Sequence, residues 1–341
     1  MADKTGIEWT DATWNPVVGC TICSPGCKNC YAMKDAHRLA HAFGQKKYRG
    51  LTTLIKGKPV WNGTVRLVPD ALDQPLRWRA PRKIFVNSMS DLFHEDLSFG
   101  AIMRVFQVMW ACPQHTFQVL TKRPERMAEF FRRWADLTGE DGEPKLARGP
   151  AATRKAHPSG RGQLFADMLD AMGQPPPGAA YPTFDWMGGM IGYPTARVNI
   201  WLGVTAEDQL RADERREHLS AVSSLGWRTI VSYEPAIGPV DWTGWEFVRQ
   251  IISGGESGPD ARVHHPDWHR VTRDFCHRNS IAYYFKQWGA WVPANDLPSE
   301  QAESLELQNR YERLGDIDMV RVGKKAAGAT LDGREHREFP A

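Results

Sequence analysis

Six short runs rich in β-branched and aromatic residues recur along the chain, at 83–87, 116–121, 199–204, 228–232, 248–253 and 281–285. Between them, apolar positions repeat with helical period at 99–112, 124–137, 208–225 and 267–278. Strand alternating with helix predicts βα units on a mostly parallel sheet. The fold class is therefore α/β, a partial or complete (β/α) TIM-like barrel of about six or seven units. Residues 31–41 also read as a helix, with Met33, Ala36 and Ala40 able to share a face. Residues 138–198 break the rhythm. They hold ten Gly and eight Pro in 61 residues, against 53 of 341 for the whole chain, which marks a Gly/Pro-rich insertion with one helical piece at 163–172. The expected layout is a barrel over 1–291 carrying the insertion 138–198, then a helical and polar extension over 292–341, helical around 300–314.

Composition narrows the class. A hydrophobic share of 42% and an aromatic share of 11% exclude disorder throughout. No apolar run approaches the ~18 residues of a membrane-spanning helix, and the first residues lack a secretory profile, so a cytoplasmic protein with no membrane partner is expected. Forty-three Lys and Arg against forty Asp and Glu make the chain nearly neutral, so any basic groove must be local.

The cysteines change the picture most. Of six, four fall at Cys20, Cys23, Cys27 and Cys30, on a segment leading into the first helix. Clustered thiols in a cytoplasmic chain predict metal or redox work rather than disulfides. The spacing Cys23-x3-Cys27-x2-Cys30 lets three thiolates hold three irons of a [4Fe–4S] cluster and leave the fourth open. An open iron can chelate S-adenosylmethionine and reductively cleave it to a 5′-deoxyadenosyl radical. The competing reading is zinc, because Cys20-x2-Cys23 and Cys27-x2-Cys30 are knuckle-sized pairs; that would make the chain a non-enzymatic nucleic-acid-binding or interaction protein. Against it, the three-residue link containing Pro25 is far shorter than the usual ~12–20 residues between such pairs.

Polar groups follow each predicted strand, where parallel α/β proteins place their ligands. These are Asn87, Ser88 and Asp91, then Lys122 and Arg123, Glu207, Glu234, the Gly254-Gly255-Glu256 element, and Lys286. They are the candidate cofactor-binding residues: carboxylates and cations suit an α-amino acid and a sulfonium, and the glycines allow close backbone approach. Tyr31 and Trp288 fit either a border to the cofactor or a stacked base on the one hand, or helix and core packing on the other, whereas His94, His264 and His265 read as solvated surface. Basic residues interleave with aromatics at Lys46, Lys47, Arg49, Lys56 and Lys58 beside Tyr48 and Trp61, and again at Arg77, Arg79, Arg82 and Lys83 around Trp78. That pattern suits phosphate contact with base stacking.

Segment 5–20, Ser24-Pro-Gly-Cys27-Lys-Asn-Cys30-Tyr31, Asn87-Ser-Met-Ser-Asp-Leu-Phe93, Leu120-Thr-Lys-Arg-Pro124, Gly254-Gly-Glu-Ser-Gly258 and Phe285-Lys-Gln-Trp-Gly289 resemble a family of phage-associated proteins of unknown function. That family is related to radical S-adenosylmethionine enzymes and distantly to spore photoproduct lyase. The likeness covers nearly the whole chain outside 138–198. It implies a [4Fe–4S] cluster, S-adenosylmethionine, an electron donor such as a flavodoxin or ferredoxin, and modification or repair of nucleic-acid bases. Two departures matter. The family pattern places its cysteines at Cys20, Cys27 and Cys30, while the wider superfamily spacing matches Cys23, Cys27 and Cys30, so the third ligand is Cys20 or Cys23, with Cys20 preferred. The superfamily's Gly-Gly-Glu element follows the second strand, whereas Gly254-Gly255-Glu256 follows a late one.

Overall fold

The computed structural model describes residues 5–137, 197–308 and 310–341. Seven strands, β1 (Ala12–Trp14), β2 (Lys83–Val86), β3 (Thr116–Thr121), β4 (Ile200–Thr205), β5 (Arg228–Tyr233), β6 (Gln250–Gly254) and β7 (Ala282–Gln287), form one sheet in sequential order. Every neighbouring pair is parallel. The sheet curls into a half-barrel, as a partial TIM-like barrel does. Six strands coincide with the runs legible in the sequence; three-residue β1 is too short to announce itself by alternation.

The longer helices are α1 (Tyr31–His41), α2 (Phe99–Trp110), α3 (Pro124–Leu137), α4 (Gln209–Ser224) and α5 (Pro266–Arg278). The side chains of Ser98 and Asp208 cap α2 and α4 by accepting from Ala101 N and Arg211 N. Period-two alternation gives the sheet two faces. Ile84, Val86, Phe117, Val119, Ile200, Leu202 and Val231 face outward into the main core with Ile102, Phe106 and Met127 from the helices. The concave face carries Phe85, Leu120, Ile252 and Tyr284, packed with Trp9. Gly203 sits on that face because nothing larger fits: a Cβ there would lie 2.6 Å from Ile230 Cγ1 and 2.7 Å from Leu120 Cδ2. Gly203→Ala should therefore destabilise the fold by about 1–3 kcal/mol through overpacking, read as a lower urea midpoint.

The C-terminal region departs from expectation. The helix there stops at Leu307, and Tyr311–Leu314 pairs antiparallel with Ile317–Arg321, which in turn pairs with Trp291–Pro293. A two-residue loop led by Gly315, at φ +65°, turns the chain; this Gly-Asp turn is the signal that a helical reading through 314 overlooks. The chain end then covers the open edge of β7: Phe285 N donates to His336 O (3.0 Å) and Glu338 N to Tyr283 O (3.2 Å). The Gly/Pro-rich stretch 138–198 and its helical piece 163–172 lie outside the described residues, save 197 and 198. No helix among the described residues is long and apolar enough to cross a membrane.

Candidate metal centre

The four clustered cysteines lie between β1 and α1, over the carboxyl ends of the strands. Tight turns shape the loop: Cys27 N donates to Ser24 O (3.0 Å), Cys30 N to Cys27 O (3.2 Å), and Cys30 immediately precedes α1. Cys23 is exposed and the other three are partly buried. A hydrogen bond from Cys23, aided by the nearby Lys122 ammonium, holds the Cys27 thiol well below its ordinary range despite burial. Burial and the Asp91 carboxylate push Cys20 up to about 12, and burial also raises Cys30. Arg123 Nη1 lies 3.9 Å from Cys20 Sγ.

Two strand-end carboxylates bond this loop directly and a third reaches it through Arg123. Glu207, past β4, is fully buried; it accepts from Ser24 Oγ (3.0 Å) and Thr205 Oγ1 (3.1 Å) and pairs with Lys122 Nζ (3.2 Å) and Arg215 Nη1 (3.1 Å). Burial alone would raise its pKa, but Lys122 and Arg215 outweigh it and hold the carboxyl at about 2. Glu256, past β6, accepts from Asn29 Nδ2 (3.1 Å) and from Arg262 through its backbone N (2.9 Å), Nε (2.8 Å) and Nη2 (2.6 Å). Here too burial pushes the carboxyl up while the Arg262 and Asn29 bonds bring it below its usual range. Arg262 Nη1 also donates to Pro25 O (3.1 Å) within the loop. Asp91, past β2, accepts from Phe93 N (3.0 Å), Thr121 Oγ1 (2.7 Å), Lys122 N (3.0 Å) and Arg123 Nη1 (3.1 Å). Arg123 in turn bonds Thr21 beside Cys20. Gly26 lies against Glu207, where a Cβ would meet the Glu207 Cγ at 2.7 Å.

A model of the family described as "Protein of unknown function (DUF5131)" matches residues 4–340. The chain belongs to the DUF5131 family. No curated protein and no solved structure matches it.

In this DUF5131 protein the candidate cofactor residues divide into two sets. Asp91, Lys122, Glu207 and Glu256 spend their polar atoms on protein partners: one another, the cysteine loop, and neighbours such as Thr121, Arg123, Arg215 and Arg262. Glu234, past β5, and Lys286, near the end of β7, form a simpler pair at 3.1 Å, to which Ser232 Oγ adds a 3.4 Å bond to Glu234 Oε2. Asn87 adopts φ +60°, accepts from Val17 N (3.3 Å), and leaves its buried Nδ2 unpartnered. Ser88 exchanges a hydrogen bond with Asn15, and its carbonyl accepts from Tyr31 Oη (2.9 Å). Gly254 and Gly255 leave no room for side chains: a Cβ on Gly255 would lie 2.1 Å from Trp288 O, and one on Gly254 2.9 Å from Glu234 Oε1.

Several surface readings are corrected. His94 and His264 are fully buried, His94 beside Thr21 (2.9 Å) and His264 against Trp288 O (2.7 Å), because each finds internal hydrogen-bond partners. Trp288 belongs to the core, while Tyr31 stays half-exposed next to Cys30. Tyr48, Trp61 and Trp78 are buried, so none offers a ring face for base stacking. Sequence reasoning missed Ser24, Asn29, Arg215 and Arg262. Arg215 carried a signal, since it continues the buried stripe Ala212, Leu219, Val222 of α4, and a charge on an apolar stripe needs a buried partner.

Proposed function

We propose that this DUF5131 protein is a radical S-adenosylmethionine enzyme whose [4Fe–4S] cluster is held by Cys20, Cys27 and Cys30. The observation that carries this reading is the gathering of four thiols on a single loop, held over the strand ends by Glu207 and Glu256 directly and by Asp91 through Arg123. Soft thiolates are the donors that iron–sulfur clusters take, and the cations Lys122 and Arg123 beside them offset the charge a cluster brings. Cys20 is preferred to Cys23 because the cysteines of the resembling family match Cys20, Cys27 and Cys30, and because Cys23 is the exposed member of the four. When bound, such a cluster supplies the electron that reductively cleaves the sulfonium of S-adenosylmethionine.

The chain's own groups have distinct tasks in this reading. Glu207 and Glu256 hold the loop, and Asp91 orients Arg123. Glu234 and Lys286, from the ends of β5 and β7 on either side of β6, offer a carboxylate for the cofactor's ammonium and an ammonium for its carboxylate. The barrel comprises seven units, with 138–198 inserted between the third and fourth strands. The substrate is a nucleic-acid base, flipped from its stack and guided through phosphate contacts by exposed Lys46, Arg49, Lys56 and Arg79. The electron comes from a small donor such as a flavodoxin or ferredoxin.

Anaerobic assay of reconstituted protein with a chemical reductant and S-adenosylmethionine tests the reading. Wild type should release 5′-deoxyadenosine and Cys27→Ala none. A colourless protein with bound zinc and no turnover would instead favour the zinc-stapled interaction protein.

A further inference from the structure

We propose a second, separate metal site, for a divalent ion of the zinc class, formed by His277, His336 and Glu338. His277 lies in the last turn of α5; the other two belong to the C-terminal segment that covers the β7 edge. One ligand atom from each lies within 4.8 Å of the others. Glu338 Oε1 stands 3.8 Å from both His277 Nε2 and His336 Nδ1. Donors around a tetrahedral zinc are about 3.4 Å apart, given metal–ligand distances of about 2.0–2.2 Å, so a contraction of a few tenths of an ångström closes that part of the site.

The independent pointer to a ligand is His336. Its side chain is only 3% exposed, and its Nδ1 is buried without a hydrogen-bond partner while facing the Glu338 carboxylate. Buried ring nitrogens are ordinarily paired, and an ion between Nδ1 and Oε1 would pair this one. The carboxylate is already oriented: Glu338 Oε2 accepts from Tyr283 N (2.9 Å), the kind of outer bond that fixes a metal ligand. His277, at 44% exposure, is free to turn inward and leaves a position for water. Arg334 Nη2, 3.9 Å from the same Oε1 and 69% exposed, is the cation the ion would displace. Two imidazoles and one carboxylate are a donor set that zinc, cobalt and nickel accept. The ion would staple the C-terminal segment to α5 and so fasten the cover over the sheet edge. This inference is independent of the cysteine loop.

Titration of the full-length protein with Co2+ under anaerobic conditions distinguishes the two centres, because thiolate-bound Co2+ shows sulfur-to-metal charge transfer and an imidazole–carboxylate site shows ligand-field bands alone. Wild type should bind one equivalent with the second signature, and Zn2+ should raise its Tm. In His277→Ala the affinity of that equivalent should fall at least about tenfold and the Zn2+-dependent shift in Tm should vanish, with little change in the metal-free Tm because nearly half of the side chain is already in solvent. Glu338→Gln, which keeps an oxygen for Tyr283 N, should also weaken binding. If every bound Co2+ carries the thiolate signature, or His277→Ala binds as wild type does, the site does not exist.

Discussion

Glu207→Gln should lower the free energy of unfolding by about 3–5 kcal/mol, because it leaves the Lys122 and Arg215 charges facing a neutral amide in a buried setting. The same change weakens the bond to Ser24 and frees one side of the cysteine loop, so metal retention should fall with stability. The carboxyl also predicts a pH signature. Its folded pKa, about 2, lies below the ordinary value of 4.5, so its contribution is complete above about 4.5 and is lost as the pH falls toward 2. Urea unfolding at about pH 7 and about pH 3 should therefore show a larger loss in wild type than in Glu207→Gln. Equal losses in the two proteins would show that Glu207 is not the buried anion described.

The second large effect concerns the thiols. Cys27→Ala and Cys30→Ala should each abolish iron binding and 5′-deoxyadenosine release, since three thiolates are the minimum that holds a cube with one open iron. Cys20→Ala should do the same, whereas Cys23→Ala should keep its iron and most of its turnover. Iron analysis and product quantification on the four single variants decide the matter. Loss with Cys23→Ala and retention with Cys20→Ala would move the third ligand to Cys23; loss with all four would point to a closed, four-thiolate centre.

Much of the architecture was legible because the apolar strand runs repeat at regular spacing and the helices between them carry their own period. The strand-end rule also singled out Asp91, Lys122, Glu207 and Glu256 among its cofactor candidates, and the fold sets these four beside the cysteine loop. What it could not read was direction. A carboxylate after a strand is equally suited to grip a cofactor or to grip the loop above it, and here Glu207 reaches Ser24 and Glu256 reaches Asn29. Those partners are distant in sequence, 183 and 227 residues away, so local pattern carries no trace of them. Burial of Tyr48, Trp61 and Trp78 was hidden for a similar reason: a basic residue beside an aromatic looks the same whether the ring faces water or the core. Arg82 shows the outcome, its guanidinium lying 4.9 Å above the ring centroid of buried Trp78. His336 and Glu338, near the chain end, gained meaning only when the fold set them against α5.

What the cysteine loop binds decides the chemistry of this protein. Protein purified and kept free of oxygen, then analysed for iron, sulfide and zinc together with its electron paramagnetic resonance after reduction, gives the most direct answer. About four irons and four sulfides per chain, with a reduced-cluster signal that changes on adding S-adenosylmethionine, is the predicted result. Zinc in place of iron, or a cluster signal indifferent to S-adenosylmethionine, would contradict it.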